Sequence, residues 1–287
     1  MIVTRFAPSP TGFLHLGHAF AALTAHDAAA RSGGRFLLRI EDIDTARSRR
    51  EYEQAIKDDL GWLGLAFEEP VRRQSEHFSD YAAALKGLDE RGLLYPCFCT
   101  RKEIAEEIAR AAEAPRGPDG PLYPGTCRRL SREACDARMA AGESYALRLD
   151  VEKAVAAIAR PLTFTELGAG PAGEVGEQIV RPALFGDVVL ARKELPASYH
   201  LAVVVDDALQ GVTLVTRGND LFHSTHVHRL LQDCLGYDPP AYAHHRLILD
   251  AAGKKFSKRD RSVTLESLRR DGVSPESIRE SLGWRSA

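Results

Sequence analysis

The stretch Arg5–His18, RFAPSPTGFLHLGH, gives the clearest indication of the fold of this chain. Apolar residues at its start fit a short strand that enters a core. Pro8, Pro10 and Gly12 then break both strand and helix, so the chain must turn. The run Leu14–Ala30 is rich in Ala and Leu and has neither Pro nor, beyond position 17, Gly, which favours a helix. The sequence therefore predicts a strand, a turn and a helix in succession.

Two histidines open the predicted helix. His15 and His18 lie three residues apart, so the first helical turn places both on one side. That turn also carries unpaired N–H groups and the positive end of the helix dipole, which suit a triphosphate. Gly17 removes a side chain where a flat ring could approach the backbone. Taken alone, such a pair is more simply explained as two solvated histidines beside a buried strand–turn–helix unit.

Composition is that of an ordinary globular protein, with 44% hydrophobic and 27% charged residues in 287. No apolar run approaches the ~20 residues that cross a membrane, and no secretory pattern opens the chain, so we expect a cytoplasmic protein, and a monomer. The net charge of −2 excludes a broadly basic surface, so any RNA contact needs a local patch. The candidate patches are Arg128, Arg129 and Arg132, or Arg269 and Arg270, and each is more simply explained as a solvated charged face.

Strand and helix patterns alternate along the chain. A strand at Arg35–Ile40 is followed by helical patterns at 48–62 and 77–91, which favours a doubly wound parallel sheet. Ligands of such α/β folds bind at the carboxyl ends of strands, where Glu41 and the histidine turn lie. The apolar run Leu201–Val205 predicts a strand buried on both faces. We divide the chain into a first half of the sheet domain at 1–96, an insert at 97–194, a second half at 195–263, and short C-terminal helices at 264–287.

A second motif, KKFSK at 254–258, lies far downstream, and its lysines would complete a phosphate site. Alone, it is equally well explained as an exposed basic loop. Together, the two motifs resemble the HIGH and KMSKS signatures of class I aminoacyl-tRNA synthetases, and RFAPSPTG resembles the glutamyl form. The resemblance implies that His15, Gly17, His18 and Lys258 bind ATP, that Mg²⁺ accompanies it, and that Lys255 and Lys258 neutralise the departing pyrophosphate.

The amino-acid pocket of such an enzyme needs an anion for an ammonium group and cations for two carboxylates. Glu41 can receive the ammonium, and Arg5 and Arg217 can each bind a carboxylate through two hydrogen bonds. The alternative is that Arg217 forms an ion pair with Asp206 or Asp220. The family resemblance implies that the glutamate contacts are Arg5, Phe6, Ala7, Pro8, Ser9, Glu41, Tyr199 and Arg217.

Cysteines in the insert have the spacing of a metal site. Cys97, Cys99 and Cys127 supply three thiols, and zinc prefers four tetrahedral ligands. Generic chemistry points to Cys135 as the fourth. A truncated branch of the glutamyl enzymes, which modifies queuosine in tRNA(Asp), carries C-x-C…Y-x-x-x-C, and this resemblance implies Tyr123 instead. The alternative is three free buried thiols.

The end of the chain bears on the acceptor of the activated amino acid. Full glutamyl-tRNA synthetases continue past the lysine motif into anticodon-reading domains, and we expect none here because the sequence stops at residue 287. Resemblance to the truncated branch implies tRNA-independent activation of L-glutamate and its transfer to the queuosine base of tRNA(Asp). The alternatives are a glutamyl-tRNA(Glu) synthetase without its anticodon domain and a ligase with a non-RNA acceptor. A non-catalytic paralogue disagrees with the intact HLGH and KFSK motifs.

Overall fold

A computed structural model of the chain describes residues 1–110, 115–118, 120–249, 253 and 263–284. The strands are β1 Val3–Phe6, β2 Arg35–Ile40, β3 Glu68–Arg73, β4 Leu94–Cys97, β5 Arg116–Gly117, β6 Gly120–Pro121, β7 Ala146–Leu149, β8 Thr163–Glu166, β9 Gly176–Ile179, β10 Val189–Arg192, β11 Leu214–Gly218 and β12 Ala241–His245. The helices are α1 Leu16–Arg31, α2 Arg50–Trp62, α3 Phe78–Glu90, α4 Arg101–Arg110, α5 Arg132–Ala140, α6 Val151–Ile158, α7 Tyr199–Leu209, α8 Ser224–Leu235, α9 Leu265–Arg270 and α10 Pro275–Ser281.

The parallel strands occur in two groups that meet at β1 and β11. Strands β1, β2 and β3 pair in parallel in that order, and β11, β12 and β8 form a second parallel group with β9 antiparallel at its edge. Thr213 lies immediately before β11, and its N–H donates to the Val3 carbonyl at 3.0 Å. The carboxyl ends of β1 and β11 therefore lie side by side, and the predicted α/β fold with parallel strands is confirmed.

Side chains of β2 alternate between two faces, as the geometry of a strand requires. Phe36, Leu38 and Ile40 pack in one apolar core with α1 and α2. Arg39 points to the other face, where it meets Asp207 of α7. Charged groups can be buried on that second face because the sheet holds them in register with a helix that carries their counter-ions.

The predicted strand at Leu201–Val205 is wrong, because these residues lie inside α7. Ser198 caps this helix by accepting a hydrogen bond from the Leu201 N–H at 3.4 Å. Every residue from 201 to 207 is buried. A continuous apolar run has the same appearance in a helix buried all round and in a strand buried on both faces, so periodicity could not separate the two.

The segment 97–194 contributes to three sheets, one of which is the two-stranded pair of β5 and β6. Strand β7 lies between β4 and β10 in an antiparallel sheet, whereas β8 pairs with β12. The domain boundaries drawn from the sequence stay a prediction. Among the described residues, none of the helices combines the length and the apolar character needed to cross a bilayer.

Candidate active site

A cavity of about 400 Å³ opens at the carboxyl ends of β1 and β11. It gathers residues from both halves of the sheet, from the start of α1 and from the start of α7. Every residue predicted to contact glutamate lines it, together with His18 of the histidine turn. The lining residues are Arg5, Phe6, Ala7, Pro8, Ser9, Thr11, His18, Ala21, Glu41, Tyr199, Thr216, Arg217, Gly218 and Leu221.

The histidine turn has a compact geometry. His15 is the N-cap of α1, and its Nδ1 accepts from the Gly17 N–H at 3.1 Å. The His15 N–H donates in turn to His18 Nδ1 at 3.2 Å, and the two ring centroids lie 3.7 Å apart. A Cβ at Gly17 would lie 3.1 Å from the His15 ring, so the glycine accommodates that ring. One N–H that we expected to be unpaired is thus capped by a neighbouring imidazole.

A buried network of ion pairs connects two residues that line the cavity, Glu41 and Arg5. Arg5 Nε and Arg39 donate to the same Asp207 oxygen, at 2.9 and 2.6 Å. Arg39 also donates to Glu41 Oε1 at 3.1 Å. Burial raises the pKa of Glu41, and the cationic Arg39 and Arg5 offset part of that rise. Burial acts the same way on Asp207, but there Arg5 and Arg39 prevail and hold its pKa below the ordinary value.

Sequence reasoning missed Arg39 and Asp207 as parts of the site. Arg39 lies in a strand that reads as core, and its side chain is fully buried. Asp206 and Asp207 directly follow the apolar run Leu201–Val205, which the sequence predicted to be a strand. The arginine within an apolar strand could have indicated the pair, because a buried arginine needs a counter-ion from elsewhere in the chain.

Arg217, at the end of β11, meets neutral acceptors. Its nitrogens donate to His244 Nε2 at 3.1 Å, to Thr225 Oγ1 at 2.7 Å and to the Tyr199 hydroxyl at 3.4 Å, and one lies 3.1 Å from His228 Nδ1.

Neither carboxylate of the alternative ion pair is among the acceptors of Arg217 in the described part of the chain. Asp206 is occupied elsewhere, by Arg72, Gln74 and Tyr81.

A larger groove of about 850 Å³ adjoins the cavity and shares Ser9, Thr11, Glu41 and Tyr199 with it. The groove runs toward the segment that contains the cysteines. It is lined there by aromatic and cationic side chains, which include Tyr123, Phe185, Arg148 and Arg192. A second substrate in this groove would therefore touch the same residues as a small molecule in the cavity.

Three thiols converge at the predicted metal site. The Sγ atoms of Cys97, Cys99 and Cys127 all lie within 4.8 Å of one another. The Tyr123 hydroxyl lies 3.6 Å from Cys99 Sγ and accepts from the Cys127 N–H at 2.9 Å. Cys135 packs in the same apolar cluster but is not a member of the group.

The geometry of this cluster fits a tetrahedral ion. Zinc–sulfur bonds of ~2.3 Å place tetrahedral sulfurs about 3.8 Å apart, close to the 3.4 Å between Cys99 and Cys127. Burial and the neighbouring Cys97 raise the pKa of the Tyr123 phenol, so it stays neutral unless a cation binds beside it. We therefore retain Cys97, Cys99, Cys127 and Tyr123 as the proposed ligands.

The lysines of the second motif, Lys255 and Lys258, lie outside the described residues. The chain that follows them is fixed beside the histidine turn, since the Leu265 N–H donates to the Leu14 carbonyl at 2.8 Å.

Comparisons with known proteins relate this chain to a family of tRNA synthetases. The sequence model of the family described as class I tRNA synthetases (E and Q), catalytic domain, matches residues 1–286. A glutamyl-Q tRNA(Asp) synthetase of Rhodobacter capsulatus is 50% identical over 98% of this chain and 100% of that protein. One from Symbiobacterium thermophilum is 44% identical over 100% of this chain and 87% of its own length.

Among solved structures, the glutamate-tRNA synthetase of Elizabethkingia anophelis superimposes with a TM-score of 0.73 at 30% identity. The match covers 90% of this chain and 53% of that one, so the present chain spans about half the length of the solved synthetase.

Proposed function

Since the chain belongs to the family of class I glutamyl- and glutaminyl-tRNA synthetase catalytic domains, we propose that it activates L-glutamate with ATP and transfers it to the queuosine base of tRNA(Asp). The observation that carries the proposal is the cavity in which Glu41, Arg5, Arg217 and His18 face one another. One anion and two cations match the ammonium and the two carboxylates of glutamate.

In the proposed reaction, the α-carboxylate of glutamate attacks the α-phosphorus of ATP, the bond to the β-phosphate oxygen breaks, and pyrophosphate leaves. Positioning and charge neutralisation supply most of the rate of such a transfer. Glu41 orients the ammonium, while Arg5 and Arg217 hold carboxylates. His15 and His18 lie at the start of α1 and donate to phosphate oxygens, with Gly17 between them. Phe6, Ala7, Pro8, Ser9 and Tyr199 complete the glutamate pocket.

The proposed function includes two metal ions, one that binds with ATP and one that stabilises the structure. Mg²⁺ accompanies ATP and is held in part by its phosphates. Lys255 and Lys258 of the KFSK motif neutralise the departing pyrophosphate. Zn²⁺, bound by the cysteine cluster and Tyr123, is structural, since four protein ligands leave no open position for chemistry.

The acceptor is proposed to bind in the larger groove, because that groove meets the cavity at Glu41 and Tyr199. Aromatic side chains beside arginines suit an unstacked base and its phosphates. The similarity to two glutamyl-Q tRNA(Asp) synthetases, over 98% and 100% of this chain, supports queuosine as the acceptor. ATP and tRNA are cytoplasmic substrates, and we propose a monomer that works there.

The site of attachment tests the acceptor. Labelled glutamate and ATP are incubated with tRNA(Asp) that carries queuosine, with the same tRNA carrying guanosine, and with tRNA(Glu). We expect label on the first RNA alone, and in an anticodon fragment after nuclease digestion. Label released with the 3′-terminal adenosine of tRNA(Glu) would instead support a glutamyl-tRNA(Glu) synthetase, a candidate that the superposition on the Elizabethkingia enzyme favours. Label on none of the RNAs would favour a non-RNA acceptor.

A further inference from the structure

We infer that a cage of neutral acceptors around Arg217 makes the pocket selective for a carboxylate over an amide, an inference that rests on the proposed function. The cage consists of His244, His228, Thr225 and Tyr199. These act as positioning residues: they fix the guanidinium by four contacts but leave its charge for the substrate to neutralise.

The hydrogen bonds assign a tautomer to each imidazole of the cage. His244 Nε2 accepts from Arg217, so its proton lies on Nδ1 and faces Glu166 Oε2 at 2.5 Å. Glu166 is itself held by the N–H groups of Gly168 and His244, each at 2.8 Å. The His244 ring therefore has one buried orientation, with its lone pair toward Arg217.

His228 is held in the same manner from the other side. Its Nδ1 faces Arg217, so its proton lies on Nε2 and is donated to His200 Nδ1 at 3.1 Å. Burial, reinforced by the cationic Arg217, lowers the pKa of His228 well below its usual value. Burial also lowers the pKa of His200, to about 4. Both rings are consequently neutral at neutral pH.

The second arginine of the cavity shows the opposite arrangement. Arg5 already donates to the carboxylate of Asp207, which Arg39 shares. Among the described residues the two cations of the pocket therefore differ: Arg5 contacts a carboxylate directly, whereas the direct partners of Arg217 are neutral and the Glu166 carboxylate lies behind His244. A buried cation without a counter-ion gains most when a carboxylate arrives, and it gains little from a neutral amide. In this inference Arg217 receives the side-chain carboxylate, which is the only group in which glutamate and glutamine differ.

Two variants of equal shape at His228 test the geometry of the cage and its charge separately. In His228→Asn the amide oxygen occupies the position of Nδ1 and preserves a neutral acceptor. In His228→Asp the same position carries a charge that neutralises Arg217 from inside. By calorimetry we expect the Kd of L-glutamate to stay within about threefold in the first variant and to rise about thirtyfold or more in the second. The Kd of ATP should be unchanged in both, and the preference for glutamate over glutamine should fall in His228→Asp.

Equal glutamate affinity in the two variants overturns the inference but leaves the proposed function standing. A wild-type chain that binds no glutamate overturns both. If the new carboxylate prevents folding, as judged by circular dichroism, Thr225→Val decides the matter, because it deletes one acceptor of the cage without adding charge. An increase of about tenfold in the glutamate Kd at unchanged ATP affinity then supports the cage, and an unchanged Kd overturns it.

Discussion

Replacing Arg217 with methionine should lower kcat/KM for glutamate in ATP–pyrophosphate exchange by about a thousandfold, or about 4 kcal/mol. The guanidinium is buried at the end of β11, and without it the substrate carboxylate would meet only its neutral neighbours there, such as His244 and Thr225. Loss of one partner of a buried charge pair leaves the other charge uncompensated, which is why the expected effect is large.

Arg217→Lys should recover only part of this loss, because an ammonium cannot bind both carboxylate oxygens through a planar fork. Arg35→Met is the matched control. Arg35 pairs with Glu68 on the surface, and its removal should leave exchange unchanged. A loss of tenfold or less in Arg217→Met, with both variants folded, would contradict the role assigned to Arg217.

Cys127→Ser should lose the metal of the cysteine cluster. Elemental analysis of the wild type purified without chelator should find about one zinc per chain, and the variant should contain almost none, because a serine hydroxyl is a poor substitute for a thiolate. We expect Tm to fall by about 10 °C, since a zinc ion bound by the proposed ligands would close the loop between Cys99 and Tyr123.

The control for this variant is provided by Cys135, which packs in the same apolar cluster as the three thiols but stands outside their group. Cys135→Ser should keep its zinc and most of its stability. Zinc retained by Cys127→Ser, or absent from the wild type, would refute the ligand set of Cys97, Cys99, Tyr123 and Cys127. Loss of zinc from Cys135→Ser would show that the fourth ligand is Cys135 and not Tyr123.

Much of the parallel sheet was predictable because its strands and helices carry local signals. The strand Arg35–Ile40 has the predicted bounds, and the helix predicted at 77–91 is found at Phe78–Glu90. Helix α7 was not predictable in this way, since its apolar run is buried on all sides and has no period.

The residues that line the cavity were predictable from motifs, whereas the residues that hold their side chains in place were not. Every predicted glutamate contact lines one cavity. The partners of those residues come from distant parts of the chain: Asp207 reaches Arg39 across 168 positions, and Glu166 reaches His244 across 78. No local pattern encodes such pairs. Chemistry alone suggested Cys135 as the fourth ligand, and the packing of the insert brings Tyr123 to the thiols instead.

We propose that this chain activates glutamate without any RNA. Glutamate-dependent exchange between labelled pyrophosphate and ATP, measured on the wild-type protein without any RNA, tests it most directly. We expect exchange with L-glutamate, far weaker exchange with L-glutamine, and no increase on adding tRNA(Glu). Exchange that appears only after tRNA(Glu) is added, or that is equally fast with glutamine, would contradict it.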